Sequence, residues 1–480
     1  MRILEALRTR ALIRTGVQAS PENDKPRHCS GFEPLAYSKL LSFFLPLAAT
    51  PLMAYSTHNI IHAALARLPV PHLSLAAFTV VRAASDAIKA PVLVSGQISA
   101  SLVDSRRSYV VSTSFVWALA GGFFVVLAGL GYTHLGSLFL YEVIGLRDPA
   151  VVELGQRAFR IFAFLPLVEV LRHSNRGLLI AHQRTGIVST AMLIRMLILA
   201  VFVVWTVSGQ FMDGIDVAAF AWTGGLAIEG VILLIAVCAA YKTPIRAAQT
   251  IPARNDRDPT LRYVIGFFVP LAVMITVREA VQPLIQAGIA RGAGAAVHQL
   301  AVYGVAWSLV LNIVAPLRML HNCAIVYAPS RDHSAWPRVL RFCTATGAAM
   351  TATLVLLAVT PIGYQGLRYV LGVSPSIARD ANLVILAFAP FPVFWGRREA
   401  YWGVMMRRHR TRAIAGGKLI HVLVLLVTMA LLFGIDDVRV AVPPAVIGAA
   451  AFTLGEVAET VFICRLTAAP DSIPGPVRAQ

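Results

Sequence analysis

Apolar residues run along this chain in long blocks separated by short polar segments, and the blocks have membrane-crossing length. About 20 apolar residues let a helix cross the ~30 Å hydrocarbon layer. Twelve stretches reach that length. The first six cover 37–64, 73–103, 109–139, 150–180, 186–208 and 215–241. The second six cover 261–290, 295–328, 338–363, 378–404, 412–434 and 440–466. The pattern predicts an all-α polytopic membrane protein with twelve transmembrane helices. Its expected parts are a cytoplasmic basic tail at 1–35, an N-lobe at 36–241, a polar linker at 242–259, a C-lobe at 260–467 and a tail at 468–480. The first segment lacks the apolar core of a cleavable signal peptide.

Composition narrows the class. The 480 residues are 57% hydrophobic and only 14% charged, against about 45–50% and about 25% in soluble domains. A disordered chain, a coiled coil and most soluble enzyme folds are excluded. A net charge of +18 could suggest nucleic acid, but a mean hydropathy of +0.70 argues against that partner. Basic loops held at the cytoplasmic side are the simpler cause. The loops after stretches 2, 4, 6, 8 and 10 carry Arg106–Arg107, Arg184, Lys242 with Arg246, Arg254 and Arg257, Arg331 with Arg338, and Arg407, Arg408, Arg410 and Arg412. The alternate loops offer little beyond Arg67, Arg147, Arg291, Arg368 and Arg439. Both termini are therefore expected in the cytoplasm, in a cell inner membrane. The five cysteines are scattered and form no disulfide or metal frame.

The second half repeats the first at an offset near 225 residues. SFFLPLA at 42–48 matches GFFVPLA at 266–272, and Ala90-Pro91 matches Ala315-Pro316. Ser105-Arg106 matches Ser330-Arg331, while Pro166, Arg172 and Gly177 match Pro392, Arg398 and Gly403. An even number of crossings per half makes these parallel repeats, two six-helix bundles facing across a cleft. Alternating access by rocking of the two is the expected motion.

These features resemble the multidrug/oligosaccharidyl-lipid/polysaccharide (MOP, MATE-like) exporter superfamily, whose lobes open as a V. Within it the chain is most similar to the progressive ankylosis (ANK) transporter family. The similarity is carried by Phe267-Phe268-Val269-Pro270-Leu271, Gln282, Gly288-Ile289-Ala290 and Ala301–Leu309 (AVYGVAWSL), followed by Pro316, Asn322 and Ile325-Val326-Tyr327. The resemblance implies efflux of small phosphate or carboxylate anions such as ATP, pyrophosphate and citrate.

Ionisable groups at membrane depth cost at least about 2.5–3.5 kcal/mol on insertion scales, so they face a cavity or each other. Arg82, Asp86 and Lys89 share one face of stretch 2 at i, i+4, i+7 spacing. Stretch 4 carries Glu169, Arg172, His173 and Arg176, and its repeat carries Arg397, Arg398 and Glu399. Arg278 and Glu279 lie in stretch 7, Arg318 just past Pro316, and His58 and His62 in stretch 1. Arg82, Lys89, Arg172, Arg278, Arg318 and Arg398 are the candidate substrate ligands, because guanidinium and ammonium groups suit phosphate or carboxylate. Asp86, Glu169, Glu279, His58 and His62 are candidates for coupling to H+ or Na+, or for gating. Arg195, Glu229, Glu456 and Glu459 read as packing partners across helices.

There is no G-x-x-x-x-G-K-[ST] and no H-E-x-x-H. The reading is a non-enzymatic, monomeric secondary exporter of a small anion in the lipid bilayer, without cofactor, metal or nucleic-acid partner. The alternatives are a lipid-linked sugar flippase or cation-coupled multidrug exporter and, from another class, a membrane-embedded enzyme or scaffold.

Overall fold

A computed structural model describes residues 36–468 apart from 183, 211, 252–259, 293–294, 328–334, 408–410 and 436–440. The tail at 1–35, the second part of the linker at 252–259, the Ser330-Arg331 match and the tail from 469 lie outside the described residues. Each of the twelve apolar stretches is helical over its described part, and no strand occurs among the described residues.

Nine helices among these residues are long and apolar enough to cross a membrane. A tenth results if Pro375–Phe388 and Phe391–Arg407, bent by 41°, count as one. The expected twelve is not reached on apolar length because stretches 2 and 4 are broken and charged. Stretch 2 consists of Pro71–Ile88, a 3-10 turn at Ala90–Val94, and Ser95–Ser101. Stretch 4 consists of Pro149–Phe162 and Leu165–Ala181. Proline explains the breaks, since it removes a backbone donor and crowds the preceding turn. Pro91 opens the 3-10 turn, and Pro166 opens the second helix of stretch 4.

The breaks recur in the second half, so the duplication is written into the backbone. A 3-10 turn spans Ala315–Met319 at Pro316, and π-helical turns occur at Phe139–Ile144 and Gly366–Val370. The glycines repeat as well. A Cβ on Gly177 would run into the carbonyl oxygen of Gly96, and one on Gly403 into that of His321. Each glycine thus lets the second helix of a broken pair sit directly on the backbone beyond the proline break of its own half.

Contacts between the halves are reciprocal. Tyr37–Leu65 packs on Ala296–Val314 and Ala315–Met319, while Leu261–Arg291 packs on Pro71–Ile88 and Ala90–Val94. Near one end Phe44 meets Phe342 edge to face at 5.8 Å, and Phe268 meets Phe115 at 5.1 Å. At the other end Arg67 donates to the carbonyls of Val370 (2.7 Å) and Leu371 (3.0 Å). Its counterpart Arg291 donates to those of Glu142 (2.6 Å), Val143 (2.6 Å) and Ile144 (3.0 Å). Each arginine caps the π-helical turn of the opposite half. Those turns end in Gly145 (φ +92°) and Gly372 (φ +76°), where a Cβ would be strained and would press on the arginine.

Candidate functional site

The broken helices surround a polar cavity of about 670 Å³ between the halves. Its lower-numbered wall is the charged stripe of stretch 2 facing that of stretch 4. Asp86 sits between two bases, 2.8 Å from Arg82 and 3.1 Å from Lys89. Lys89 reaches on to Glu169 at 2.9 Å. Glu169 meets Arg172 at 2.7 Å, and Arg172 contacts Glu229 at 3.4 Å. Glu229 closes on Arg195 at 2.9 Å, which also donates to Thr57. Four bases and three acids therefore form one continuous network. Its members are paired, as charges removed from water must be.

The second half repeats the centre of this network with changed partners. Arg398, the counterpart of Arg172, pairs with Glu456 and with Glu459 (2.9 Å) and lies 3.3 Å from Glu399. Lys418 adds a second cation at 2.7 Å from Glu459. Glu399 accepts from the Trp395 indole at 2.8 Å and lies 2.9 Å from His321. Here three acids face two permanent bases. His421, Glu456 and Glu459 bring potential metal-ligand atoms within 4.8 Å of one another. Arg398 and Lys418 both pair with these two carboxylates.

Ten of the eleven candidate residues line the cavity: Arg82, Lys89, Arg172, Arg278, Arg318, Arg398, Asp86, Glu169, Glu279 and His58. His62 does not; it is buried edge-on against Phe78 with Nδ1 unpartnered. Arg278 and Glu279 pair with each other at 2.7 Å. Arg397, read from the sequence as an interior base, is exposed, because its neighbour Arg398 takes the inward face. Arg195, Glu229, Glu456 and Glu459 are the inter-helix partners expected.

Several lining groups were not singled out from sequence. Lys418 and His421 are isolated polar residues in an apolar run, and an ionisable group at that depth was the available signal. Trp222, Trp307, Trp395 and Trp402 also line the cavity. Trp222 lies under Arg82 at 5.6 Å, and Trp402 lies under Arg398 at 4.6 Å. Arg318 is held between Tyr55 (5.0 Å) and Trp395 (5.8 Å), with its Nε buried and unbonded.

Eight bases and five acids line the cavity, an excess of three positive charges with the histidines neutral. Among the described residues, Arg176 and Arg318 have no carboxylate within ion-pair distance. An enclosed surplus of charge with low-dielectric walls concentrates ions of opposite sign.

A paired-repeat helical fold around a polar cavity is also the fold of known MATE-type structures. The fold matches the inward-facing conformation of a multidrug resistance MATE family transporter of the MOP superfamily, with a TM-score of 0.67 at 14% identity over 88% of this chain and 98% of that one. It also matches lipid II flippase MurJ, inward closed, with a TM-score of 0.62 at 10% identity over 89% and 88%. A MOP superfamily transporter from Pyrococcus furiosus, described as having a binding pocket of reverse polarity, matches with a TM-score of 0.57 at 12% identity over 90% and 96%. Residues 259–469 match the family described as progressive ankylosis protein (ANKH). The resemblances read from the sequence, to the superfamily and within it to the ANK family, are therefore met.

Proposed function

We propose that this protein is a secondary active transporter that exports a small organic or phosphate-bearing anion by alternating access of its two halves. Residues 36–241 and 260–467 would act as the lobes, joined by the linker at 242–259. The single observation that carries this reading is the cavity's excess of positive charge, with Arg176 and Arg318 unpaired. A drug cation would meet like charge there, whereas a carboxylate or phosphate would complete two arginines that lack an acid. The aromatic lining around Arg318 suits a solute that also carries a flat or apolar part. The match to the progressive ankylosis family over the second half supports the same reading. Loop charge supports a cytoplasmic location for both termini and residence in the inner membrane.

Proteoliposomes test the proposal. Purified protein should exchange internal for external radiolabelled pyrophosphate, citrate or ATP well above empty vesicles, and excess unlabelled anion should suppress that exchange. Scrambling of a lipid-linked sugar without anion exchange would favour the flippase instead. Neither activity would return the chain to the enzyme or scaffold class.

A further inference from the structure

The duplication exposes one substitution that neither half reveals alone. In the first half Arg172, Glu229 and Arg195 form a buried chain of ion pairs, with Glu229 between two arginines. The corresponding residues of the second half, 226 or 227 positions on, are Arg398, Glu456 and His421. Arg398 still pairs with Glu456, but an imidazole replaces the second guanidinium. A guanidinium stays charged at any physiological pH, whereas an imidazole changes charge within that range.

The surroundings fit a place for one proton. His421 is 1% exposed, and its Nδ1 lies 3.3 Å from Glu456 and 3.4 Å from Glu459. Neither ring nitrogen makes a hydrogen bond, and Glu459 Oε1 is also buried without a partner. Such unsatisfied buried groups are rare and call for an explanation. The charged groups around His421 come from each packed helix in turn. Glu456 and Glu459 come from Pro444–Ala468, and Arg398 and Glu399 from Phe391–Arg407. Lys418 is on its own helix, and on Leu261–Arg291 Arg278 and Glu279 pair with each other. His321 contacts Glu399 from the helix Leu320–Tyr327.

We infer that His421 is the proton-binding residue of the transport cycle, a titratable copy of the fixed cation Arg195. Arg398 and Lys418 leave one negative charge uncompensated on Glu399, Glu456 and Glu459. One proton taken from cavity water onto the imidazole cancels it, and its release restores it. Because His421 and Glu456 line the cavity, the proton has a direct path to the space that holds solute. The first half has no equivalent, since its network is already closed by Arg195. The consequence for transport rests on the proposed function; the proton site itself does not.

Two measurements separate these. Intrinsic tryptophan fluorescence of the ligand-free full-length protein in nanodiscs is followed from about pH 8 to about pH 5.5, the range an imidazole covers. Trp402 is the reporter, 5.5 Å from Lys418 and lining the same cavity. The wild type should show a one-proton transition that is lost in both His421→Gln and His421→Arg, the latter reproducing the first half. No transition in the wild type, or a midpoint unchanged in both variants, overturns the inference, whether or not His321→Gln moves it. In proteoliposomes, the ratio of pyrophosphate flux with and without a pH gradient should exceed unity in the wild type and fall to unity in both variants. A ratio preserved in the variants also overturns the inference. If the wild type moves no anion, the transport proposal fails while the fluorescence result stands.

Discussion

Arg398→Met is expected to destabilise the protein by about 3–5 kcal/mol, the usual cost of removing one partner from a buried ion pair. Arg397→Met, one residue earlier, should be close to neutral. The contrast follows from helical geometry. Adjacent residues point about 100° apart, so Arg397 is exposed while Arg398 is 2% exposed and touches three carboxylates. Methionine fills much of the volume and preserves helix propensity, which leaves the uncompensated acids as the cause of the loss. Thermal unfolding in mild detergent should show the midpoint for Arg398→Met lower by about 3–5 °C. Adding Glu456→Gln and Glu459→Gln should recover part of that loss, because neutral amides need no cation. Equal midpoints for Arg397→Met and Arg398→Met, or no rescue, would contradict the pairing described here.

The second large effect is expected at the reciprocal arginines. Arg67→Ala with Arg291→Ala removes five hydrogen bonds that cross between the halves at one end of the bundle. Hydrogen bonds from a charged donor contribute about 1.5–3 kcal/mol each when buried. Most of these are exposed to water, so about 1 kcal/mol per arginine is a fair allowance. The double variant should therefore shift any equilibrium between closed and open forms of that end by roughly 30-fold. Spin labels on Leu135→Cys and Ile362→Cys, exposed counterparts beside the two π-helical turns, would report it. A longer-distance population should grow in the double variant and be intermediate in each single one. An unchanged distance distribution would mean that the arginines only decorate an interface held by other contacts. The opposite end, where Phe44–Phe342 and Phe268–Phe115 meet, should stay in place.

Much of this architecture was legible before any coordinates. Hydropathy located each helix, and the prolines that reveal the repeat prove to stand at breaks, because a missing backbone donor leaves a mark in the sequence. The i, i+4, i+7 stripe of Arg82, Asp86 and Lys89 predicted mutual contact, and the three residues do pair. What was not legible depends on distance along the chain. Nothing local to Lys418 names Glu459, 41 residues away, as its partner. His62 has the same spacing to His58 as any helix-face pair, yet it packs against Phe78 rather than the cavity. Arg67 and Arg291 read as sparse loop charges, and their role was hidden because their partners are backbone carbonyls, which carry no residue signature. The substitution of Arg195 by His421 becomes visible only when the two halves are laid over each other in space and the partners of each residue are compared.

The positive cavity is the proposed route of the anion. Counterflow of radiolabelled pyrophosphate, citrate and ATP should therefore be compared between wild type and Arg176→Gln with Arg318→Gln, whose targets leave no carboxylate unpaired when removed. The account predicts a double variant that inserts and melts like the wild type but exchanges anion at least about tenfold more slowly, the loss of two charge-assisted contacts to solute. Exchange at the wild-type rate in that variant would contradict it.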